Sequence, residues 1–188
     1  MWWKPQRHDV LVQECAAGLI TIRNDNSTFS FSAPPLTFNA PLTTSEVQEV
    51  AESLGISVHN IATAVWGVNG PRWQLIQLAD IDLLPTLTPT ALSIGKRLGV
   101  IAIADRTHVH VRAFVGAGED PVTGSLNAVI AQWLRKQNKV DNEYEAFQGK
   151  FVGTAEKITI LDDASGIWIG GETQVQINGS IYISCCIY

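Results

Sequence analysis

The sequence has 188 residues but only three cysteines, Cys15, Cys185 and Cys186, and the last two are adjacent. This set makes a poor disulfide framework, with no Cys-x-x-Cys pair and no nearby histidine with which to bind a metal. The first residues also lack the apolar stretch and the small-residue cleavage site of a secretory signal. We therefore expect reduced thiols, no metal site and a cytoplasmic location.

Basic clusters and long apolar runs are absent as well. Thirteen lysine and arginine residues against eighteen aspartate and glutamate residues give a net charge of −5, with no block of like charge. Proteins that neutralise nucleic-acid phosphates normally have a basic face, and apolar runs such as residues 98–104 are too short to cross a bilayer. We therefore expect neither a nucleic-acid nor a membrane partner. The apolar fraction of 46% instead predicts a folded chain with a buried core.

Short β-like runs dominate the chain, and turn residues separate them. Asn24-Asp25-Asn26 predicts a hairpin between the runs 18–23 and 28–32, and the second run alternates apolar and polar residues as a half-buried strand does. Prolines at 34, 35 and 41 then interrupt regular structure. This interruption predicts a boundary between two lobes.

Two helices are predicted in the middle of the chain. Thr43-Thr-Ser-Glu46 forms a capping box, which predicts a helix that ends at Gly55. Thr88-Pro89 predicts the start of a second helix, and Gly99 stands where that helix is expected to end.

A third helix is expected to begin at Asp120-Pro121, with Asp120 as its N-cap, and to run to about Gln137. Nearly its whole circumference is apolar, which is typical of a helix that other elements surround. Further strand-like runs follow it at 157–161, 166–170, 173–177 and 180–184. The sequence therefore predicts an α+β fold in which strands wrap around one central apolar helix.

The segment Gly118-Glu-Asp-Pro-Val-Thr-Gly-Ser125 is the strongest candidate for a binding or catalytic site. The first turn of a helix presents unpaired N–H groups and a partial positive charge, so the backbone at Thr123, Gly124 and Ser125 is suited to bind a carboxylate or a phosphate. Asp120 is placed to hold a substrate hydroxyl or amine, or to tune a proton donor, and Ser125 adds a hydroxyl. The alternative is that Asp120 and Thr123 only cap a core helix.

This segment resembles the Glu-Asp-x-Ala-Thr-Gly-Ser motif of the PhzF-like family of phenazine-biosynthesis proteins, which has a diaminopimelate-epimerase-like fold. The other matching landmarks, in chain order, are residues 13–22, Asn69-Gly-Pro-Arg-Trp73, Arg112-Ala-Phe114, Gln148-Gly149 with Gly153, residues 167–171 and residues 179–183. Departures include Thr154-Ala155 where Arg-Gly is usual in the family, and Leu126 in place of a small residue.

The resemblance implies a division of the chain. Residues 1–35 would be remnant strands of a first lobe, residues 36–171 a complete second lobe with its central helix at 121–137, and residues 172–188 closing strands that return to the first lobe. Family members begin with an additional front portion that carries a Gly-His-x-Thr helix start and a glutamate acid/base. None of the four histidines here follows a glycine. We therefore expect a shortened chain with one half-site and without the catalytic glutamate.

The resemblance also implies a function: a PhzF-like isomerase or epimerase that transfers a proton on a small carboxylic acid without metal or cofactor. Asp120 and Ser125 would be the catalytic side chains, and Thr123, Gly124 and Ser125 would bind the substrate carboxylate. Serine is too weak an acid to act alone as the base, and the neighbouring Glu119 is a candidate to replace the missing glutamate. The alternative is a non-catalytic protein that binds small acids or a partner through the same fold.

His108, His110 and Arg112 alternate along one strand and therefore share a face. Two histidines on one face can contribute to a metal site, but no third ligand is identifiable. We interpret the three as solvent-facing polar residues of a half-buried strand.

The remnant strands, residues 10–31 and 173–183, are expected to leave unpaired edges and an apolar face, which favour association. We predict a homodimer or a complex with a complementing chain. Light scattering at micromolar concentration should give at least twice the monomer mass, and a monomeric mass would contradict this prediction.

Overall fold

A computed structural model describes residues 9–15, 18–25, 28–90, 95–174 and 176–179. Two α-helices, α1 (Thr44–Leu54) and α2 (Gly124–Lys136), stand among the strands, and short 3₁₀ helices lie at Val58–Asn60, Ile81–Thr86 and Lys150–Val152. The strands are β1 (Val10–Cys15), β2 (Gly18–Asp25), β3 (Thr28–Ser32), β4 (Phe38–Pro41), β5 (Ile61–Val68), β6 (Arg72–Leu78), β7 (Arg97–Ile103), β8 (His108–Val115), β9 (Gly118–Asp120), β10 (Glu143–Gln148), β11 (Glu156–Asp163) and β12 (Gly166–Glu172).

All twelve strands belong to one sheet in the order β1-β2-β3-β12-β11-β10-β8-β7-β6-β5-β4, with β9 paired to β8. The pairs β6–β7 and β8–β10 are parallel, and the other pairs are antiparallel. Helix α2 contacts both β12 and β5, which are far apart in this order. The sheet therefore curls around α2, and the predicted α+β fold with strands wrapped around a central apolar helix is confirmed.

Both faces of the central strands are buried. Successive side chains of a strand point to opposite sides of the sheet, so each central strand contributes to two cores. The inner core surrounds α2, whose residues from Leu126 to Ala131 are all at most 1% exposed. An outer core packs Val50 and Leu54 of α1 against β6, β7 and β8. These two cores fix the position of α2 inside the sheet.

Helix α1 follows its local sequence signals. The Thr43 hydroxyl accepts from the Glu46 N–H at 3.3 Å, and the Glu46 carboxylate accepts from the Thr43 N–H at 2.7 Å, as a capping box requires. Gly55 ends the helix with φ of 70°, which glycine adopts without steric cost. The prediction for this helix is confirmed.

Three other sequence-based predictions differ from the structure. Gly99 does not end a helix but lies within β7, and residues 91–94 of the expected second helix lie outside the described residues. The expected strand at 173–177 is wrong at its described positions, because Thr173, Gln174, Gln176 and Ile177 have no strand structure. Helix α2 begins at Gly124, not at Asp120-Pro121, because Gly118–Asp120 pairs with β8 as β9 and keeps the chain extended there.

The residues before Asp9, the expected strand at 180–184 and Cys185-Cys186 lie outside the described part of the chain. The division into lobe segments stays a prediction. Among the described residues, no helix has the length and the apolar character that a membrane span needs.

Strand β1 forms one end of the sheet and carries Cys15 as an exposed free thiol. Apolar side chains are exposed on this hairpin, with Val12 62% and Leu19 71% exposed. Such a surface is typical of strands that bind another polypeptide.

Two glycines allow α2 to approach the sheet closely. A Cβ atom on Gly67 of β5 would overlap Val129 Cγ1 and lie 3.2 Å from Leu75 Cδ1. A Cβ atom on Gly99 of β7 would overlap Leu126 Cδ1. Because Gly67 and Gly99 face successive turns of α2, they fix where the helix lies along its own axis.

Replacement of Gly67 by alanine should therefore destabilise the protein. Val129 is β-branched and helical, so its χ1 cannot rotate away, and overpacking of this kind costs about 1–3 kcal/mol. The free energy of unfolding in urea checks this. Gly118→Ala is the matched control, since a Cβ there meets no atom within 4 Å and should change stability by less than about 0.5 kcal/mol. Equal effects of the two variants would contradict the packing argument.

Candidate active site

The first turn of α2 has no cap. Thr123 is the N-cap residue, yet its side chain makes no capping hydrogen bond. The N–H groups of Gly124, Ser125 and Leu126 donate to none of the described residues, whereas the Asn127 N–H donates to the Thr123 carbonyl at 3.0 Å. These three N–H groups carry the partial positive charge of the helix start and are available to an anion.

Asp120 and Thr123 bind each other instead of capping the helix. The Thr123 hydroxyl donates to Asp120 Oδ2 at 2.7 Å. Asp120 lies on β9, four residues before the first helical residue, so its predicted role as N-cap is wrong. The alternative interpretation, in which both residues cap a core helix, is wrong for Asp120, whereas Thr123 occupies the N-cap position without a capping bond from its side chain.

Two buried amide side chains, Gln148 and Asn127, support this turn. Gln148, 1% exposed, donates from Nε2 to the Asp120 carbonyl at 2.7 Å and to the Thr123 hydroxyl at 2.9 Å. Its Oε1 accepts from the Thr123 N–H at 3.3 Å and from Asn127 Nδ2 at 2.9 Å. Because these groups are buried and bonded to one another, the link from β9 to α2 is fixed in one conformation.

The turn opens on two cavities. Ser125 lines a cavity of about 690 Å³ beside β1, β2 and β3, and Gly124 lines a cavity of about 240 Å³ between β3 and β12. Both residues are half-buried, so the start of the helix is accessible. Asn69, 6% exposed, also lines the larger cavity and donates from Nδ2 to the Ser125 carbonyl at 3.0 Å, while its Oδ1 has no partner among the described residues.

Glu119 lies away from this site. In the β8–β9 register Asp120 is opposite Ala113 of the inner core, whereas Glu119 is opposite Phe114 of the outer core. The Glu119 carboxylate accepts from Arg112 Nη2 at 2.7 Å and from Arg112 Nε at 3.1 Å, and both side chains are nearly buried. Glu119 is therefore committed to an ion pair on the other side of the sheet and is not available as an acid/base at the start of α2.

The same ion pair corrects the interpretation of Arg112, which is buried and not solvent-facing. His108 and His110 do share its face, and both rings stack on Phe147. Partial burial, with the nearby charge of Lys150 second, lowers the pKa of His110 below its usual value. Among the described residues, no three side chains of metal-ligating type are grouped so as to hold an ion.

Of the backbone predicted to bind a carboxylate, the N–H groups of Gly124 and Ser125 donate to none of the described residues, whereas the Thr123 N–H donates to Gln148. Three side chains that support this turn were not predicted. Gln148 and Asn69 had been noted only as parts of segments that resemble the family. Asn127 carried a signal that was overlooked, because an asparagine inside an otherwise apolar buried helix needs a hydrogen-bond partner.

Comparison with known proteins identifies the family of this chain. The family model described as phenazine biosynthesis-like protein matches residues 2–181. The chain belongs to the PhzC/PhzF family. A protein of Pasteurella multocida (strain Pm70) that is named an uncharacterized isomerase is 26% identical over 144 residues, which are 72% of this chain and 50% of that protein.

Solved structures support the fold of this PhzF-like chain. A Bacillus anthracis phenazine biosynthesis protein of the PhzF family superposes with a TM-score of 0.68 at 21% identity, over 88% of this chain and 66% of the other. A hydroxyproline epimerase from Agrobacterium vitis, with bound trans-4-hydroxy-L-proline, superposes with a TM-score of 0.53 at 12% identity, over 89% of this chain and 58% of the other. The chain thus spans about half the length of the curated relative it matches.

Replacement of Gln148 by leucine should loosen the start of α2. The Thr123 N–H and the Asn127 amide would lose a buried acceptor, which costs about 2–3 kcal/mol in the free energy of unfolding. Urea denaturation measures this loss, and hydrogen exchange at Gly124 and Ser125 should become faster than in the parent protein. Gln48→Leu serves as the control, because Gln48 is exposed on α1 and bonds only Glu52. A Gln148→Leu variant as stable as this control would show that the amide pair does not hold the turn.

Proposed function

We propose that this chain contributes to a cofactor-independent isomerase or epimerase of the PhzF-like family that acts on a small carboxylic acid. The observation that carries the proposal is the uncapped start of α2, where the N–H groups of Gly124 and Ser125 border two cavities. We further propose that it works in the cytoplasm, where the exposed Cys15 thiol stays reduced.

A carboxylate fits the free N–H groups in charge and in hydrogen-bonding capacity. An anion at a helix start accepts from backbone donors and interacts favourably with the helix dipole. Asn69 adds a buried acceptor, Oδ1, at the edge of the same cavity. The acid bound by the hydroxyproline epimerase carries a carboxylate together with hydrogen-bond donors, which supports this class of ligand.

Two side chains take roles in the proposed chemistry. Ser125 lines the larger cavity, and its hydroxyl would donate to the bound carboxylate. Asp120, which accepts from the Thr123 hydroxyl and lies outside the described lining of both cavities, would hold a substrate hydroxyl or amine. During isomerisation one base removes a proton from a carbon of the acid, and a proton is returned to the same or another carbon.

The proposed site needs a further proton-transferring group on the side of Ser125. The described residues that line the larger cavity include no aspartate, glutamate, histidine, lysine or arginine, and Cys15 is the one thiol among them. We propose that a second copy or a complementing chain supplies this group, docked on β1 at the end of the described sheet, where Gln13 and Cys15 line the cavity. The chain then acts as one half of a site.

A non-catalytic small-acid binding protein is the second candidate. It is favoured by the lack of a carboxylate or histidine among the described residues of the larger cavity and by the commitment of Glu119 to Arg112. In this alternative the free N–H groups bind the acid and no proton leaves carbon.

Deuterium exchange separates the two candidates. The chain is incubated in deuterated water with trans-4-hydroxy-L-proline and a panel of cyclic acids, and loss of the α-proton signal is followed by NMR. Catalysis predicts exchange that falls by at least about tenfold in Asp120→Asn, because an interaction with the reacting acid is lost. Asp82→Asn, an exposed aspartate of a 3₁₀ helix, is the control and should exchange as the parent does.

Acid binding without exchange would exclude catalysis by this chain alone and favour the binding protein. Titration with the same acids should then shift the Gly124 and Ser125 amide resonances, and Ser125→Ala should weaken binding. If neither exchange nor an amide shift occurs with any acid, the proposed site is wrong.

A further inference from the structure

Two phenylalanines of β3, Phe29 and Phe31, form a ridge between the two cavities at the start of α2. Both side chains line the larger cavity, and both also line the smaller one. They lie two residues apart on one strand and therefore point to the same face of the sheet. We call this pair the aromatic ridge.

The strand register shows which neighbours the ridge separates. Phe31 is directly opposite Ile22 on β2 and Ile169 on β12, so these three side chains form a row across one face. Ile22 lines the larger cavity and Ile169 the smaller one. Phe31 therefore stands between the two spaces.

Phe31 is also the ridge residue that reaches the helix. A Cβ atom built on Gly124 would lie 3.2 Å from both Cε1 and Cζ of the Phe31 ring. The ring packs against the inner core that surrounds α2, which limits its movement. The ring thus occupies the space into which a side chain at position 124 would project.

The two cavities differ in charge. The described lining of the larger cavity consists of apolar and neutral polar residues only. The smaller cavity is lined partly by Glu156, Lys157 and Glu172. Alternation places the Glu156 side chain on the face of β11 that carries Ile158, and the Lys157 and Glu172 side chains on the opposite face. The body of an acid in the smaller cavity would therefore lie beside the Glu156 carboxylate.

We propose that Phe31 is the specificity-determining residue of the site: its ring confines the body of a bound acid to the neutral cavity and shields it from the charged one. The inference rests on the proposed function. Asn69, which is buried with Oδ1 unpartnered on the neutral side, independently indicates a ligand with a hydrogen-bond donor there. The preferred acids then have an uncharged body.

Methyl NMR locates the body of a bound acid directly. The full chain is labelled at isoleucine δ1 methyl groups and titrated with benzoate, whose ring shifts the resonances of nearby methyl groups. Benzoate should shift the Ile22 methyl and leave the Ile169 methyl unchanged. A shift of Ile169 in the parent protein equal to that of Ile22 would overturn the proposal.

Substitution of Phe31 should merge the two spaces. In Phe31→Ala, benzoate should shift the Ile169 methyl as well as that of Ile22, and Phe31→Leu, which keeps more of the core contact, should show the same change to a smaller extent. Phe38→Ala is the control, because Phe38 lies exposed on β4 outside both cavities and should leave the parent pattern intact. An unchanged pattern in a folded Phe31 variant would refute the role of the ring.

The amide resonances keep this failure distinct from failure of the proposed function. If benzoate shifts the Gly124 and Ser125 amides but the methyl pattern does not depend on Phe31, only the role of Phe31 is wrong. If neither benzoate nor the acids of the exchange panel shift those amides, the helix start binds no acid, and both proposals fall together.

Discussion

The close packing of α2 inside the curled sheet is the constraint on which the site depends. Gly67 and Gly99 leave room for Val129 and Leu126, so the helix is in direct contact with β5 and β7. A helix held in this way cannot slide or rotate without atomic overlap. Its first turn consequently lies at one place, at the boundary of the two cavities, and this placement is set by apolar contacts that take no part in the chemistry.

The polar side chains that contact the first turn of α2 keep it rigid without occupying its N–H groups. A helix start is normally satisfied by an N-cap side chain, which would occupy the N–H groups that an anion needs. Here the Thr123 hydroxyl donates to Asp120, Gln148 bonds the Thr123 N–H and hydroxyl, and Asn127 Nδ2 donates to the Thr123 carbonyl. The turn is therefore rigid while the N–H groups of Gly124 and Ser125 stay free. The rigidity of the turn and the availability of its N–H groups, which usually compete, therefore depend on separate residues.

Alternation along strands distributes the acidic and aromatic residues around this turn. Glu119 and Asp120 are neighbours in sequence, yet one forms an ion pair with Arg112 in the outer layer and the other faces the inner core beside α2. On β3 the same rule brings Phe31 into a row with Ile22 and Ile169, between a neutral space and a charged one. The chemical character of the site is thus decided by which face each residue occupies.

The sequence by itself determined the elements whose signals are local. The capping box at Thr43 and the αL glycine at Gly55 specified α1, and the apolar circumference of the third helix showed that strands surround it. The cluster Asn24-Asp25-Asn26 predicted the antiparallel pairing of β2 with β3, although Asn24 and Asp25 themselves belong to β2. The motif at 119–125 located the free backbone N–H groups. Each of these signals acts over a few residues, so it needs no knowledge of the rest of the chain.

Only the tertiary structure decided the features that depend on residues far apart in sequence. Asp120-Pro121 has the composition of a helix start, but pairing of β9 with β8 keeps it extended and moves the start to Gly124. Gly99 has the composition of a helix end, but parallel pairing of β7 with β6 makes it a strand residue against Leu126. The support from Gln148 and the ring of Phe31 over Gly124 likewise come from strands remote from α2. Local propensity differs between such alternatives by about 1 kcal/mol per residue, which long-range pairing and burial exceed.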